Sequence, residues 1–114
     1  VGTDAQQHKD GVKFVTAICI YRIGKGAQYY WVNELVEHIN SLKQKIMYEA
    51  SLTYKYKEEV KYLLKDILEK YNIKVRPHSD IGENGPTKKF ISEVIGMFKG
   101  FGEEEEVLIK PYSI

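Results

Sequence analysis

Val1-Gly2-Thr3-Asp4-Ala5-Gln6 decides the fold: a short β-prone segment carries one acid between small residues and puts Asp4 on a central strand. Two other acids are placed to meet that position. Glu49 falls in the middle of the apolar face of a long helical pattern, and Asp80 follows a further strand pattern at the mouth of a glycine-rich loop. Carboxylates from a strand, a helix and a strand end are a donor set for one or two Mg²⁺ or Mn²⁺ ions, because hard divalent cations take oxygen ligands. Asp4, Glu49 and Asp80 are therefore the candidate metal ligands.

Outward from that strand, Gln7-His8-Lys9-Asp10-Gly11 is a turn in which Asp10-Gly11 supplies the positive φ angles of a hairpin. A solvated loop residue is the ordinary reading of His8 there. The second strand runs from Val12 to Ile23. In it Phe14, Ile18 and Ile20 alternate with Val15, Ala17 and Cys19, so both faces are apolar and the strand belongs in a sheet covered on both sides over part of its length. Gly24-Lys25-Gly26 turns the chain into Ala27-Gln28-Tyr29-Tyr30-Trp31-Val32, a third strand rich in aromatics. Links this short force antiparallel neighbours, so the first three strands form a meander.

Ser41-Leu42-Lys43-Gln44 is a capping box, with the Ser41 hydroxyl accepting from the Gln44 backbone N–H while the Gln44 side chain reaches back. At the helical period Leu42, Ile46, Thr53, Val60, Leu64, Ile67 and Tyr71 form one stripe, as in a helix laid on a sheet. Glu49 lies inside that stripe. An unpaired buried carboxylate costs several kcal/mol, so such a group is paired, protonated or metal-bound; the alternative is a Glu at the rim of the stripe that reaches solvent or Lys45. Lys55, Glu58, Glu59, Lys65 and Glu69 on the opposite face read as a solvated surface. Tyr48, Tyr54 and Tyr62 also point away from the stripe, toward a partner surface. About thirty residues of helix at 1.5 Å each overhang a small sheet, which predicts a kink or a homodimer contact through the helix.

Beyond the helix, Ile73-Lys74-Val75-Arg76-Pro77-His78 reads as a fourth strand, and the crossover lets it lie parallel to the first. Alternation puts Arg76, His78 and Asp80 on one face. Pro77 donates nothing to a ladder and belongs near the strand end. Gly85-Pro86 leads into a helix with Phe90, Ile91, Val94, Ile95 and Phe98 at helical spacing. Backbone N–H groups at its start, with Lys88 and Lys89, are positioned for a phosphate, although glycine loops of this kind are often only turns. Gly100-Phe101-Gly102 ends this helix, Glu103 to Glu106 are a solvated run, and Val107-Leu108-Ile109 make a fifth strand before Pro111.

With 114 residues the chain is one domain with one core. Its 43% hydrophobic and 29% charged residues are ordinary for a soluble globular protein, and the longest apolar run, Phe14 to Tyr21, is far short of a membrane span. A lone cysteine, Cys19, excludes an internal disulfide, fits a reducing cytoplasm, and reads as a small buried apolar residue. At a net charge of +1 no whole-domain basic field attracts nucleic acid, so a polynucleotide is held through a local patch or through metal. No signal peptide is visible, and the abrupt opening on a strand leads us to expect residues upstream of Val1.

A meander, a helix, a parallel strand, a helix and a last strand follow the plan of the ribonuclease H-like fold. Val1-Gly2-Thr3-Asp4-Ala5-Gln6-Gln7-His8, Gly24-Lys25-Gly26-Ala27, Tyr48-Glu49-Ala50 and above all His78-Ser79-Asp80-Ile81-Gly82 resemble a bacterial family of predicted ribonuclease H-related nucleases over nearly the whole chain. Members usually carry Ser where this chain has Ala5. The resemblance implies an α/β domain over residues 1–114, lacking terminal segments, with a five-stranded mixed sheet of order 3-2-1-4-5 and helices packed on it. It further implies two-metal hydrolysis of phosphodiester bonds, with metals about 4 Å apart. The superfamily's metal-binding acids fall on Asp4, which would bridge the ions, and on Glu49 and Asp80, which would complete one site each. His78 is the remaining catalytic candidate, orienting Asp80 or moving a proton. Thr3, Gln6 and Lys88 are the substrate-side candidates, Lys88 as a phosphate contact. The implied partner is RNA, DNA or a hybrid, because no base-reading array separates them. Sugar-kinase and actin-like domains and inactive modules share the architecture, so a nucleotide or nucleic-acid binding module, or a partner-docking domain, is the alternative. Asp4→Asn separates the two: a nuclease loses activity by it, whereas a binding module is indifferent.

Overall fold

Two tight turns set the first third of the chain into a meander of β1 (Gly2–His8), β2 (Gly11–Arg22) and β3 (Gly26–Val36). The pairing is antiparallel throughout, from His8↔Gly11 to Gly2↔Ala17 in one hairpin and from Arg22↔Gly26 to Val12↔Val36 in the other. At the first turn Gly11 alone carries a positive φ, +146°, and a Cβ there would stand 2.3 Å from the Val36 carbonyl oxygen. The glycine thus lets the end of β3 close on the start of β2. β3 runs four residues beyond the aromatic-rich segment, because Asn33-Glu34-Leu35-Val36 keep pairing with Val15 back to Val12. The structure, a computed structural model, describes residues 1–22, 24–82, 86–102 and 107–110. Ile23, Glu83 to Gly85, Glu103 to Glu106 and Pro111 lie outside the described residues.

The capping box forms at the start of α1 (Leu42–Leu63): Ser41 Oγ accepts from the Gln44 N–H at 3.1 Å, and Gln44 Oε1 accepts from the Asn40 N–H at 2.6 Å. The long helix, expected to kink or to make a dimer contact, is interrupted at Leu64, and α2 (Lys65–Lys70) follows. Only the first part of the stripe is buried; Leu64, Ile67 and Tyr71 are exposed because the sheet ends beneath them. Two tyrosines placed outward by sequence turn inward. Tyr48 packs its ring 4.7 Å from that of Phe14, and Tyr54 stacks on Phe101 and donates to its carbonyl at 2.9 Å. Tyr62 does face solvent.

The fourth strand is displaced along the chain from its expected place. Ile73 to Pro77 are not paired as a strand, and β4 is His78–Gly82, so Asp80 sits within it rather than after it. Pro77 directly precedes β4, where it is buried and accepts from the Leu108 N–H at 3.0 Å. A 3₁₀ turn, Lys88–Phe90, leads into α3 (Ile91–Gly100), and β5 (Leu108–Lys110) ends the described fold. The sheet order is β3-β2-β1-β4-β5, with β4 parallel to both β1 and β5.

Both long helices lie on one face of this sheet. Ile46 and Ala50 of α1 share a core with Ile81, Phe90, Val94 and Phe98, while Leu52 packs with Val12 and Phe14. Between these clusters run three buried hydroxyls, Thr53 donating to Thr3 at 2.9 Å and Thr3 hydrogen-bonded to Thr16 at 2.8 Å. The face carrying Val15 and Ala17, expected under a second layer, forms an open concavity among the described residues.

Gly11→Ala is expected to cost roughly 2 kcal/mol or more in urea unfolding, since backbone strain and the Val36 contact add. Gly24→Ala, at φ +76° with nothing within 4 Å of the added Cβ, should cost only the strain, about 1 kcal/mol.

Candidate functional site

Alternation along β1 divides its side chains between two environments. Thr3 and Ala5 face α1, whereas Gly2, Asp4 and Gln6 face the open side of the sheet. The hairpin register then continues that face laterally. Asp4 lies across from Val15 and Asn33, Gly2 from Ala17 and Trp31, and Gln6 from Lys13. On the other flank β4 brings His78 beside Gly2. The result is a concavity of about 410 Å³ lined by Asp4, Gln6, His78, Asp80, Tyr29 and Trp31, over a floor that includes Ala17.

Asp4 and Asp80 thus open onto one concavity from neighbouring parallel strands, and both are exposed. The Asp4 carboxylate accepts from the Ala5 N–H at 3.0 Å. Glu49 lies behind them, on the helix side of β1, and is only 8% exposed. Burial pushes its carboxyl up to about 8, against the pull of Lys45, and the negative charges of Asp4 and Asp80 push it further. The Ala5 amide offers it a small counteracting hydrogen bond. Glu49 is therefore protonated at neutral pH, and it senses the other two acids across the strand. Their side chains do not converge: among the described residues no three His, Cys, Asp or Glu side chains are arranged to hold a metal ion.

His78 is half-buried, and its pKa is lowered to about 4, first by burial, with the positive charge of Arg76 adding to it. A ring that is neutral from about pH 4 upward suits hydrogen bonding better than proton transfer at neutral pH. Gln6 is exposed on the wall of the concavity. Thr3 is not available as a substrate contact through its hydroxyl, which is engaged with Thr16 and Thr53 in the core. Lys88 is exposed in the 3₁₀ turn and is not among the residues of the concavity. His8 ends β1 in solvent, and Cys19 is half-buried across the ladder from Tyr29.

Two features escaped the sequence reading. Tyr29 and Trp31 stand on the same side as Asp4, with ring planes 16° apart and centroids 6.0 Å apart. Counting residues back from each turn would have shown that shared face. Lys57, 1% exposed, lies one turn beyond Thr53 on the buried stripe, its Nζ 3.3 Å from Glu58 and 5.8 Å from the Tyr54 ring centroid.

The family model described as Ribonuclease H-like matches residues 1–114, and the chain belongs to that family. It is 34% identical over 126 aligned positions to the uncharacterized protein YkuK of Bacillus subtilis (strain 168), an alignment that takes in 99% of this chain and 70% of that relative. No solved structure matches.

The Glu49 carboxyl fixes a pH dependence. Its folded pKa of about 8 lies above its ordinary 4.5, so below about pH 4.5 both folded and unfolded forms hold the proton and the group costs nothing. As pH rises toward 8 the unfolded chain releases it first, and stability falls by an amount on the order of a few kcal/mol. Glu49→Gln should flatten this slope and be the more stable protein at pH 8, as read by urea unfolding at pH 5 and pH 8.

Proposed function

We propose that this ribonuclease H-like domain is a Mg²⁺- or Mn²⁺-dependent nuclease that hydrolyses phosphodiester bonds in a nucleic acid. The observation that carries the reading is the pairing of Asp4 and Asp80 on one concavity from adjacent strands, with Glu49 buried within their field. The donor chemistry fits a hard divalent cation: two exposed carboxylates, and a third acid held protonated first by burial and then by the neighbouring negative charge. Asp4 and Asp80 would hold the cation, and Glu49, on losing its proton, would complete the set by a change of side-chain orientation. When bound, the cation would supply Lewis acidity at the phosphoryl group and lower the pKa of a water. The chain's own groups would do the positioning: His78 orients the Asp80 side of the concavity, and the Gln6 amide hydrogen-bonds the substrate.

A second reading is favoured by the separation of the carboxylates, which stand apart rather than as a formed cage. It keeps the fold and the nucleic acid and drops hydrolysis. A homodimer through the end of α1 and through α2 is a further proposal, supported by exposed Tyr62, Leu63 and Ile67 and checked by sedimentation.

Labelled RNA, DNA and hybrid substrates, incubated with Mn²⁺ or Mg²⁺, separate the two readings. The nuclease reading expects metal-dependent cleavage that falls by about 10³-fold or more in Asp4→Asn, Glu49→Gln and Asp80→Asn, as loss of transition-state charge stabilisation does. It also expects Mn²⁺ to raise the melting temperature of the wild type but not of Asp4→Asn. Cleavage that is absent, or unchanged in all three variants, sinks it; affinity for nucleic acid that is indifferent to metal and to Asp4→Asn supports the binding module.

A further inference from the structure

We propose that Tyr29 and Trp31 form a base-stacking platform that commits the concavity to single-stranded nucleic acid. The inference rests on the nucleic-acid reading above and deepens it by naming the substrate class. Trp31 is 63% exposed and Tyr29 46%, and their near-parallel rings stand two residues apart on β3. Scattered aromatics on a solvated face need no explanation, but two aligned rings walling the concavity that holds Asp4 and Asp80 do.

The register fixes the distance. Trp31 lies across β2 from Gly2, the residue before Asp4, through Ala17. Strands lie about 4.8 Å apart, so the platform is roughly 10 Å from β1, near enough for a base to rest on it while a neighbouring phosphate reaches a cation held by the carboxylates. Ala17 and Val15 between them are small, which leaves room above the sheet for a flat ring. Tyr29 stands directly across from Cys19 of β2 in the ladder. Gln6, Lys13 and Asn33 occupy the same face and offer polar contacts to a sugar-phosphate chain.

Charge supports stacking as the source of affinity. At +1 the chain has little general attraction for phosphate, and a concavity flanked by Asp4 and Asp80 repels it locally. Ring-on-base contact supplies binding that is independent of charge and tolerant of sequence. It requires a base whose face is free. A duplex keeps its base faces stacked within the helix, so a single strand, loop or frayed end is what this surface accepts.

Trp31 is the single tryptophan of the chain, so its fluorescence reports the platform directly. The test titrates the full protein, in EDTA so that no cleavage occurs, with a short oligouridine, an oligomer of the same length lacking its bases, and a blunt duplex. Oligouridine is expected to quench Trp31 and saturate, with the other two binding at least tenfold more weakly. By anisotropy of labelled oligouridine, Trp31→Ala should bind at least tenfold more weakly and Trp31→Phe should keep most of the affinity. Equal binding of the base-free oligomer or the duplex overturns the proposal. So does unchanged affinity in Trp31→Ala, absence of binding by the wild type, or a Trp31 emission already shielded and unresponsive because another segment or a second copy covers it. Cleavage that survives while the platform fails would leave the nuclease reading standing, and binding without cleavage would remove only that reading.

Discussion

Three hydroxyls hold this domain in register. Thr53 on α1 donates to Thr3 on β1, which is hydrogen-bonded to Thr16 on β2, and all three are buried. Apolar side chains tolerate sliding, because their attraction is not directional. A buried hydroxyl that loses its partner does not, since it then bears the full loss of solvation. The helix is therefore fixed along the strand by one polar thread. Glu49, one turn before Thr53, is carried to its place behind Asp4, and Lys57, one turn after, to its place at the other end of the stripe.

The same thread explains why the site's electrostatics span the sheet. β1 is only one backbone thick, so an acid on its covered face and an acid on its open face are close while belonging to different environments. Solvent screens Asp4 and Asp80, and it does not reach Glu49 equally. Burial makes the Glu49 carboxyl keep its proton, and the charges of Asp4 and Asp80 add to that push. The concavity and the core beneath it are in this sense one electrostatic unit, with β1 as the partition.

The meander, the capping box and the burial of Glu49 were legible because each rests on a local signal: turn glycines and short links, Ser41 with Gln44, and helical spacing; the full strand order came with the family resemblance. What stayed hidden depends on tertiary context. The Ile73 to Pro77 segment has the composition of a strand, yet the ladder begins only at His78, where the chain reaches β1. Tyr48 and Tyr54 lie off the apolar stripe by angle, but long aromatic side chains reach sideways, and Phe14 and Phe101 were there to receive them. The second face of β2 is apolar without being covered in the described fold; Val15 and Ala17 are the floor of a concavity instead of a core. Of the candidate site, the three acids were legible as positions, while the side of β1 on which each carboxyl stands needed the register.

The joint between β1 and β4 has a mechanical consequence. β1 pairs with β2 along its whole length, whereas it meets β4 at the single register pair Gly2↔His78. The meander is built from hairpins of neighbouring sequence, whereas β4 and α3 are tied to the rest through the core that Ile81, Phe90, Val94 and Phe98 share with Ile46 and Ala50 of α1. Asp4 and Asp80 therefore ride on strands joined by helix-side packing more than by their own ladder. Whatever spans both acids would tie the two strands together from the open face, and its grip would register first as slowed hydrogen exchange at the Ile81 amide, while the amides of β2 exchange as before.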